Sequence, residues 1–361
     1  MDFSITPDQR LMQESLARTL ADVSGLERVR RFAGDPADKG ADVYAALADF
    51  GLTGIVIPEE YGGLGLGLLD AALAAEALGA AVAPGPFLGA CVLAPLALRL
   101  AGSKAQQGEW LPKIAAGQVV AGVAIAEQVA GARDGAGVTA SGGKLTGKAL
   151  FVTDALIADL FIVADQAGGL HLVRGDAAGL TRSAMISIDL TRPLGEVVFA
   201  ATPAEPLEGD AGALAALRDA GWTLLAADTL GAAQVMIDKA VDYAKERRQF
   251  GRVIGSFQAV KHLCAEMAAE LEPCRALVWY AAYAFDDAPD EASLTAAHAK
   301  AHTSEVGRFI ARTATEVHGG MGITDLLGLH FWFKRIGLNR QLLGGPERVR
   351  RLAAQIQGLT A

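Results

Sequence analysis

The chain has little cysteine, no excess of positive charge and no long unbroken apolar run. Its three cysteines, Cys91, Cys264 and Cys274, are odd in number and sit in apolar, helix-like surroundings. That argues against a disulfide framework and fits reduced thiols in a cytoplasmic protein. The formal net charge is −9, with basic residues dispersed except around Arg247 and from Arg335 to Arg351, so the electrostatic footprint of a nucleic-acid binder is missing. One uncharged stretch, Ala77 to Leu98, is interrupted by Pro84, Pro86 and Pro95 and by Gly79, Gly85 and Gly89. These breaks argue against a membrane span and suggest two buried helices joined by a Pro-Gly-Pro turn. Near the N-terminus, Thr6-Pro7-Asp8-Gln9 reads as an N-cap, a proline at the first helical position and a capping-box Gln, which starts a helix and not an export signal. Internal repeats and low-complexity tails are also missing.

What is present is enough for two or three packed units: 361 residues, of which 52% are hydrophobic. Leu11, Met12, Leu16, Leu20 and Val23 recur near a 3.6 period, and helical patterning continues to about residue 117. From 118 to 206 the pattern changes to short β-rich runs, Leu160 to Ala164 and Leu170 to Val173, beside turn clusters at Gln166 to Gly169 and Ser141 to Gly143. From 207 to 361 long alanine-rich helices return. The expected architecture is therefore α+β and mainly α: an N-terminal helical domain (1–117), a middle antiparallel β-barrel or sandwich (118–206) and a C-terminal helical bundle (207–361).

Several motifs compete for a chemical reading. Gly62-Gly63-Leu64-Gly65-Leu66-Gly67 follows Ile55-Val56-Ile57 and imitates a dinucleotide-binding crossover, yet no alternating strands and helices follow it; a glycine turn between helices is the better reading. His298 and His302 lie four apart on a predicted helix with no glutamate after the first and no third ligand, so no metal site is assigned. A more specific pattern is Tyr243-Ala-x-Glu246-Arg247-x-x-Phe250-Gly251-x-x-Ile254-x-x-Phe257-Gln258, together with His318-Gly319-Gly320-Met321-Gly322. A guanidinium followed by an aromatic and a glycine turn suits a dinucleotide's pyrophosphate and adenosine, and side chains absent at the glycines let backbone approach.

These two motifs resemble the flavin-contacting signatures of the acyl-CoA dehydrogenase family, and the resemblance extends over essentially the whole chain. It implies FAD as cofactor, an acyl-CoA thioester as substrate and electron-transfer flavoprotein as acceptor. Arg247, Gln249, Phe250, Gln258, His318, Gly319, Gly320 and Gly322 would reach a neighbouring subunit's FAD, while Phe151 and Thr153 would flank an isoalloxazine in this chain's own site. Asp219 matches an acidic position associated with the thioester pocket. Departures are as informative. Proton removal from the substrate needs a base, but the two positions where the family carries its glutamate are Leu343 and Gly221 here, and Trp222 replaces an arginine. The family's Thr-Glu-Pro-Gly-Ala-Gly-Ser-Asp run reads Ala126-Glu127-Gln128-Val129-Ala130-Gly131-Ala132-Arg133. Glu316 stands where a glutamine is common.

Groups that would serve a neighbour's flavin are kept and those serving this chain's own chemistry are eroded. The expectation is a subunit that completes the FAD site of a homologous, glutamate-bearing partner in a heteromeric dehydrogenase. Two alternatives stay open. One is a self-sufficient homo-oligomeric FAD dehydrogenase or oxidase using another acid, Asp219, Asp228 or Glu347; the other is a non-enzymatic scaffold or sensor.

Overall fold

The computed structural model describes residues 4–209 and 211–359. Six helices come first: α1 (Pro7–Val23), α2 (Leu26–Gly34), α3 (Ala41–Asp49), α4 (Leu68–Ala80), α5 (Ala94–Ala101) and α6 (Lys104–Ala115). The capping box expected at α1 forms, with the Gln9 N–H donating to Thr6 Oγ1 at 3.2 Å and the Thr6 N–H to Gln9 Oε1 at 3.0 Å, so both orphan donors of the first turn are satisfied. Ile55 to Ile57 forms turns, not a strand, and the glycine segment after it does connect helical elements. Between α4 and α5, the Pro-Gly-Pro segment leads into one wide helical turn, Phe87–Leu93, that runs directly into α5.

The central sheet holds β1 (Ala121–Ala124), β2 (Gly137–Ser141), β3 (Lys144–Thr153), β4 (Leu160–Ala164), β5 (Leu170–Arg174), β6 (Leu180–Ala184), β7 (Leu194–Pro203) and β8 (Glu205–Pro206). Its order is β6-β7-β3-β1-β4-β5-β8, with β2 pairing on β3. The β2–β3 hairpin closes through Gly142 and Gly143, both at positive φ, the two-residue turn that the Gly-Gly pair favours. One pairing departs from the expected antiparallel meander: β1 and β4 run parallel, Ala121 opposite Leu160 through Ala124 opposite Val163. Thirty-five residues separate these strands, including α7 (Ala126–Ala130) and the β2–β3 hairpin, which supplies the crossover that a parallel pair requires.

The C-terminal bundle consists of α8 (Ala211–Glu246), α9 (Gln258–Asp287), α10 (Pro289–His318), α11 (Leu329–Gln341) and α12 (Pro346–Ile356). Helix α8 packs across α4 at backbone contact. A Cβ at Gly231 would lie 1.8 Å from the Glu76 carbonyl oxygen, and one at Gly79 2.0 Å from that of Asp228; no larger residue fits either crossing point. The bundle is tied to the sheet by a buried ionic knot. Arg335 donates through Nε to Asp189 at 2.8 Å and through its guanidinium to Thr191 Oγ1 at 2.6 Å. Asp228 accepts from Arg192 at 2.7 Å, Arg335 at 3.1 Å and the Asn339 amide at 2.6 Å. Sheet, α8 and α11 therefore hold one another in register, which fixes the two ends of α8 described next.

Candidate functional site

Near its N-terminal end, α8 places Asp219, Gly221 and Trp222 against the segment that leaves α11. Gly221 and Leu343, the two positions where the family resemblance would place a glutamate, touch: a Cβ on Gly221 would sit 2.6 Å from Leu343 Cδ1. The Trp222 indole N–H donates to the Leu343 carbonyl at 2.7 Å, and both side chains are buried. The Ala126 to Arg133 run converges on the same place, but it is folded as the short helix α7 and pinned there. Glu127 accepts the Leu150 N–H at 2.7 Å, and Arg348 Nε donates to the Val129 carbonyl at 3.0 Å. Phe151 is half-buried and left-handed at φ 57°, with the Arg133 guanidinium 5.9 Å from its ring centroid, and Thr153 is buried. What these residues enclose is a cavity of about 60 Å³ lined by Glu127, Arg133, Phe151, Leu342 and Leu343, far below the roughly 300–1,000 Å³ of small-molecule sites.

None of the three acids considered from sequence is free at this end. Asp219 is buried and accepts from Arg218 Nε at 2.8 Å and from the Ser293 hydroxyl. Burial alone would raise the Asp228 carboxyl, but the guanidiniums of Arg192 and Arg335 hold it below the usual carboxylate range; it is a fixed anion inside the knot. Glu347 is exposed, its pKa lowered by its own backbone N–H and by Arg340. Sequence reasoning passed over Glu127 as a candidate acid, although it lines the cavity. Burial raises its carboxyl and the Leu150 N–H opposes that, so its role is to hold α7 on β3.

A larger cavity, about 440 Å³, adjoins the sealed one and is lined by Arg218, Arg348, Arg351, Trp222, Gln128 and Gln355, among others. Arg348 and Arg351 were also missed, although their three-residue spacing puts both on one face of α12.

At the far end of α8 the picture reverses. Arg247 is exposed just beyond the last helical residue, and Arg248–Gln249 pairs with Arg252–Val253 as a short hairpin. Phe250 and Gly251 form its tip at φ 53° and 78°. A two-residue turn with both φ values positive favours Asn-Gly, so a bulky phenylalanine at the first place is strained. Phe250 is 91% exposed; its ring meets that of Phe257 edge-on at 6.1 Å. Gln249 and Gln258 are exposed beside it.

The second motif meets the first here, since Tyr243, one turn before Arg247, stacks on His318 at 4.7 Å. The His318 side chain itself faces inward, buried, with Nδ1 2.7 Å from the Ala314 carbonyl. Burial lowers its pKa, so as a side chain it braces the motif. Gly319 and Gly320 are exposed, with open space where a Cβ would be, whereas Gly322 is buried with its missing Cβ only 2.6 Å from the Thr315 carbonyl. Twenty-six positions separate Gly221 from Arg247, about 39 Å at a helical rise of about 1.5 Å per residue.

Sequence models of the acyl-CoA dehydrogenase N-terminal and C-terminal domains match residues 6–118 and 219–357. Acyl-CoA dehydrogenase IpdE2 of Mycolicibacterium smegmatis is 32% identical over 354 residues, covering 98% of this chain and 100% of that protein. The chain belongs to the acyl-CoA dehydrogenase family. Among solved structures, the Tcur3481-Tcur3483 steroid ACAD superimposes with a TM-score of 0.88 at 29% identity, covering 97% of this chain and 98% of that one. The ChsE4-ChsE5 complex of Mycobacterium tuberculosis does so with a TM-score of 0.90 at 26% identity, covering all of both chains.

FAD is the cofactor of acyl-CoA dehydrogenases of this kind. Tested against it, the two ends of α8 differ. The Arg247 end fits: a guanidinium without an ion-pair partner among the described residues, an outward aromatic and two exposed glycines are the donor, cover and close-approach surface that a dinucleotide needs. At the Gly221 end the cavity beside Phe151 and Leu343 is only about 60 Å³, too small for a flavin, and the arginine-lined cavity of about 440 Å³ next to it includes neither Phe151 nor Thr153 in its lining. Elsewhere, His298 and His302 are both exposed on α10, and no group of three or more His, Cys, Asp or Glu side chains placed to hold a metal occurs among the described residues.

Proposed function

We propose that this chain is the base-free subunit of a heteromeric, FAD-dependent acyl-CoA dehydrogenase, in which it completes the flavin site of a homologous subunit that carries the catalytic glutamate. The observation that carries the reading is the separation of the two half-sites on one rigid helix. Arg247 and Phe250 cannot reach a flavin held about 39 Å away at Gly221, so the only flavin they can serve belongs to another chain. Their exposure and the strain at Phe250 support the same conclusion, since an isolated surface turn has no reason to keep a costly conformation.

Within that assembly Arg247 donates charge-assisted hydrogen bonds to phosphate oxygens, Phe250 excludes water from the adenosine side, and Gln249, Gln258 and the backbone of Gly319 and Gly320 supply the remaining polar surface. FAD held there would supply the acceptor for the hydride that leaves the acyl chain. The α-proton goes to the partner's carboxylate, because Leu343 and Gly221 have no proton acceptor and Asp219, Asp228 and Glu347 are each tied to arginine.

Two relatives' names support this reading, one a complex of two different polypeptides and one a paired steroid ACAD. A bulky CoA thioester of steroid or fatty-acid type is accordingly the substrate class, electron-transfer flavoprotein the acceptor and the cytoplasm the compartment. No helix among the described residues is long and apolar enough to cross a membrane.

The test is expression of the chain alone and together with a homologous glutamate-bearing subunit, followed by acyl-CoA-dependent dye reduction. Turnover should appear only in the pair. Full turnover by the chain alone would overturn the reading in favour of a homo-oligomer, and turnover by neither would favour a non-enzymatic role.

A further inference from the structure

A third cavity lies away from both ends of α8, at the seam between the helical N-terminal region and the sheet. It measures about 180 Å³, and its walls are largely apolar, with Phe32, Pro36, Pro86, Leu156, Met185 and Leu194 on different sides. An apolar cavity of about 150 Å³ accommodates benzene, so this one has room for a single ring with a short substituent.

Asp154 is the exception in that wall. It is 9% exposed, its backbone is left-handed at φ 57°, and its carboxyl accepts no hydrogen bond from any described residue. The other carboxylate deep in the wall, Asp189, is bound to Arg335 and Thr191; at the mouth, Asp38 is paired with Arg28. A carboxyl in a largely apolar wall with no protein donor is costly unless something in the cavity supplies one. Burial pushes Asp154 up to about 7 even with Arg192 and Arg335 nearby. One lip of the cavity carries Leu190, 51% exposed, next to Ile188 and Ile186 at 65% and 104%. Of these three, Leu190 lines the cavity and offers it an apolar entry.

We propose that this seam cavity binds a small apolar ring bearing one hydrogen-bond donor, a hydroxyl above all, which enters past Leu190 and donates to the Asp154 carboxyl. The site is independent of which chain holds the flavin, so its failure would leave the subunit assignment untouched.

Titration of benzyl alcohol and toluene into the full chain, followed by methyl NMR at Met185 and Leu156, tests it. Benzyl alcohol should produce saturable shifts with an affinity about fivefold above that of toluene, the size of one net hydrogen bond. Asp154→Asn, which keeps a carbonyl acceptor in the same shape, should retain that preference, and Asp154→Leu should abolish it. Leu156→Trp, which fills the cavity from its wall, should remove saturation for both probes and serves if Asp154→Leu does not fold. Shifts that rise linearly without saturating, a hydroxyl preference that survives Asp154→Leu, or saturation that survives Leu156→Trp would each overturn the proposal.

Discussion

At Arg247 helix α8 ends among exposed side chains, with a strained phenylalanine pointing into solvent and two glycines that nothing covers. At Gly221, about 39 Å along the same helix, a tryptophan is hydrogen-bonded over a leucine and a short helix is clamped into place by Arg348 and Glu127. In a self-sufficient dehydrogenase both ends would be shaped for cofactor. Here one end keeps its surface at a cost in local strain, and the other has been rebuilt as packing. On the proposed reading, an acid placed at Leu343 or Gly221 would meet Trp222 and α7 packed around it, so restoring one acid would not restore a site.

The largest expected effect concerns the knot that holds the two ends in register. Asp228→Ala leaves Arg192 and Arg335 buried without their shared anion and should cost about 3–5 kcal/mol in urea unfolding. A loss below about 1 kcal/mol would mean that the knot does not position α8. Next is Lys300, wholly buried on α10 with its ammonium donating to the Asn339 carbonyl. Burial pushes it down to about 7, with Arg192 and Arg340 adding repulsion. An unfolded lysine keeps its proton to about 10.4. Between about 7 and 10 the unfolded chain therefore holds the extra proton, and the Lys300 contribution makes stability rise with pH by up to about 1.4 kcal/mol per unit. Lys300→Met should remove that component of the slope in unfolding series across the window; an unchanged slope would show that Lys300 stays charged in the fold.

Trp222→Phe leaves the Leu343 carbonyl without its donor and should cost about 1–3 kcal/mol, while activity of the proposed heteromer should stay at wild-type level if this end performs no chemistry. A matching loss of dye reduction would break the contrast between the ends. Smallest in stability is Phe250→Asn. Asparagine suits a left-handed turn position, so the isolated chain should gain about 0.5–1 kcal/mol, and the assembled enzyme should retain less FAD. Gain in stability with unchanged retention would remove Phe250 from the cofactor surface.

Much of the contrast was legible in the sequence, for physical reasons that differ by region. The capping box at Thr6, the Gly142-Gly143 hairpin and the long amphipathic helices are local signals, and each forms where its residues stand. The Arg247 to Gly251 motif is equally local, because a helix end and a tight turn are specified by adjacent residues. The sealed end was only half legible. That Leu343 and Gly221 carry no acid is plain in the sequence, but that these positions touch, and that Trp222 and Arg348 pack around them, depends on contacts between residues more than a hundred positions apart. For the same reason Asp228 passed for a free acid when it is the centre of an ion knot. The parallel pairing of β1 with β4 has no local signature either, since a short buried strand reads alike in both orientations. His318 sits in a recognisable motif, but only its packing on Tyr243 and the Ala314 carbonyl shows that its side chain braces the turn from inside.

The most direct measurement is FAD content of the purified heteromer, wild-type and with Arg247→Ala in this chain alone. One FAD per two chains in the wild type, with a marked loss of retention in the variant at unchanged stability, is the predicted result. One FAD per chain, or full retention in Arg247→Ala, would contradict it.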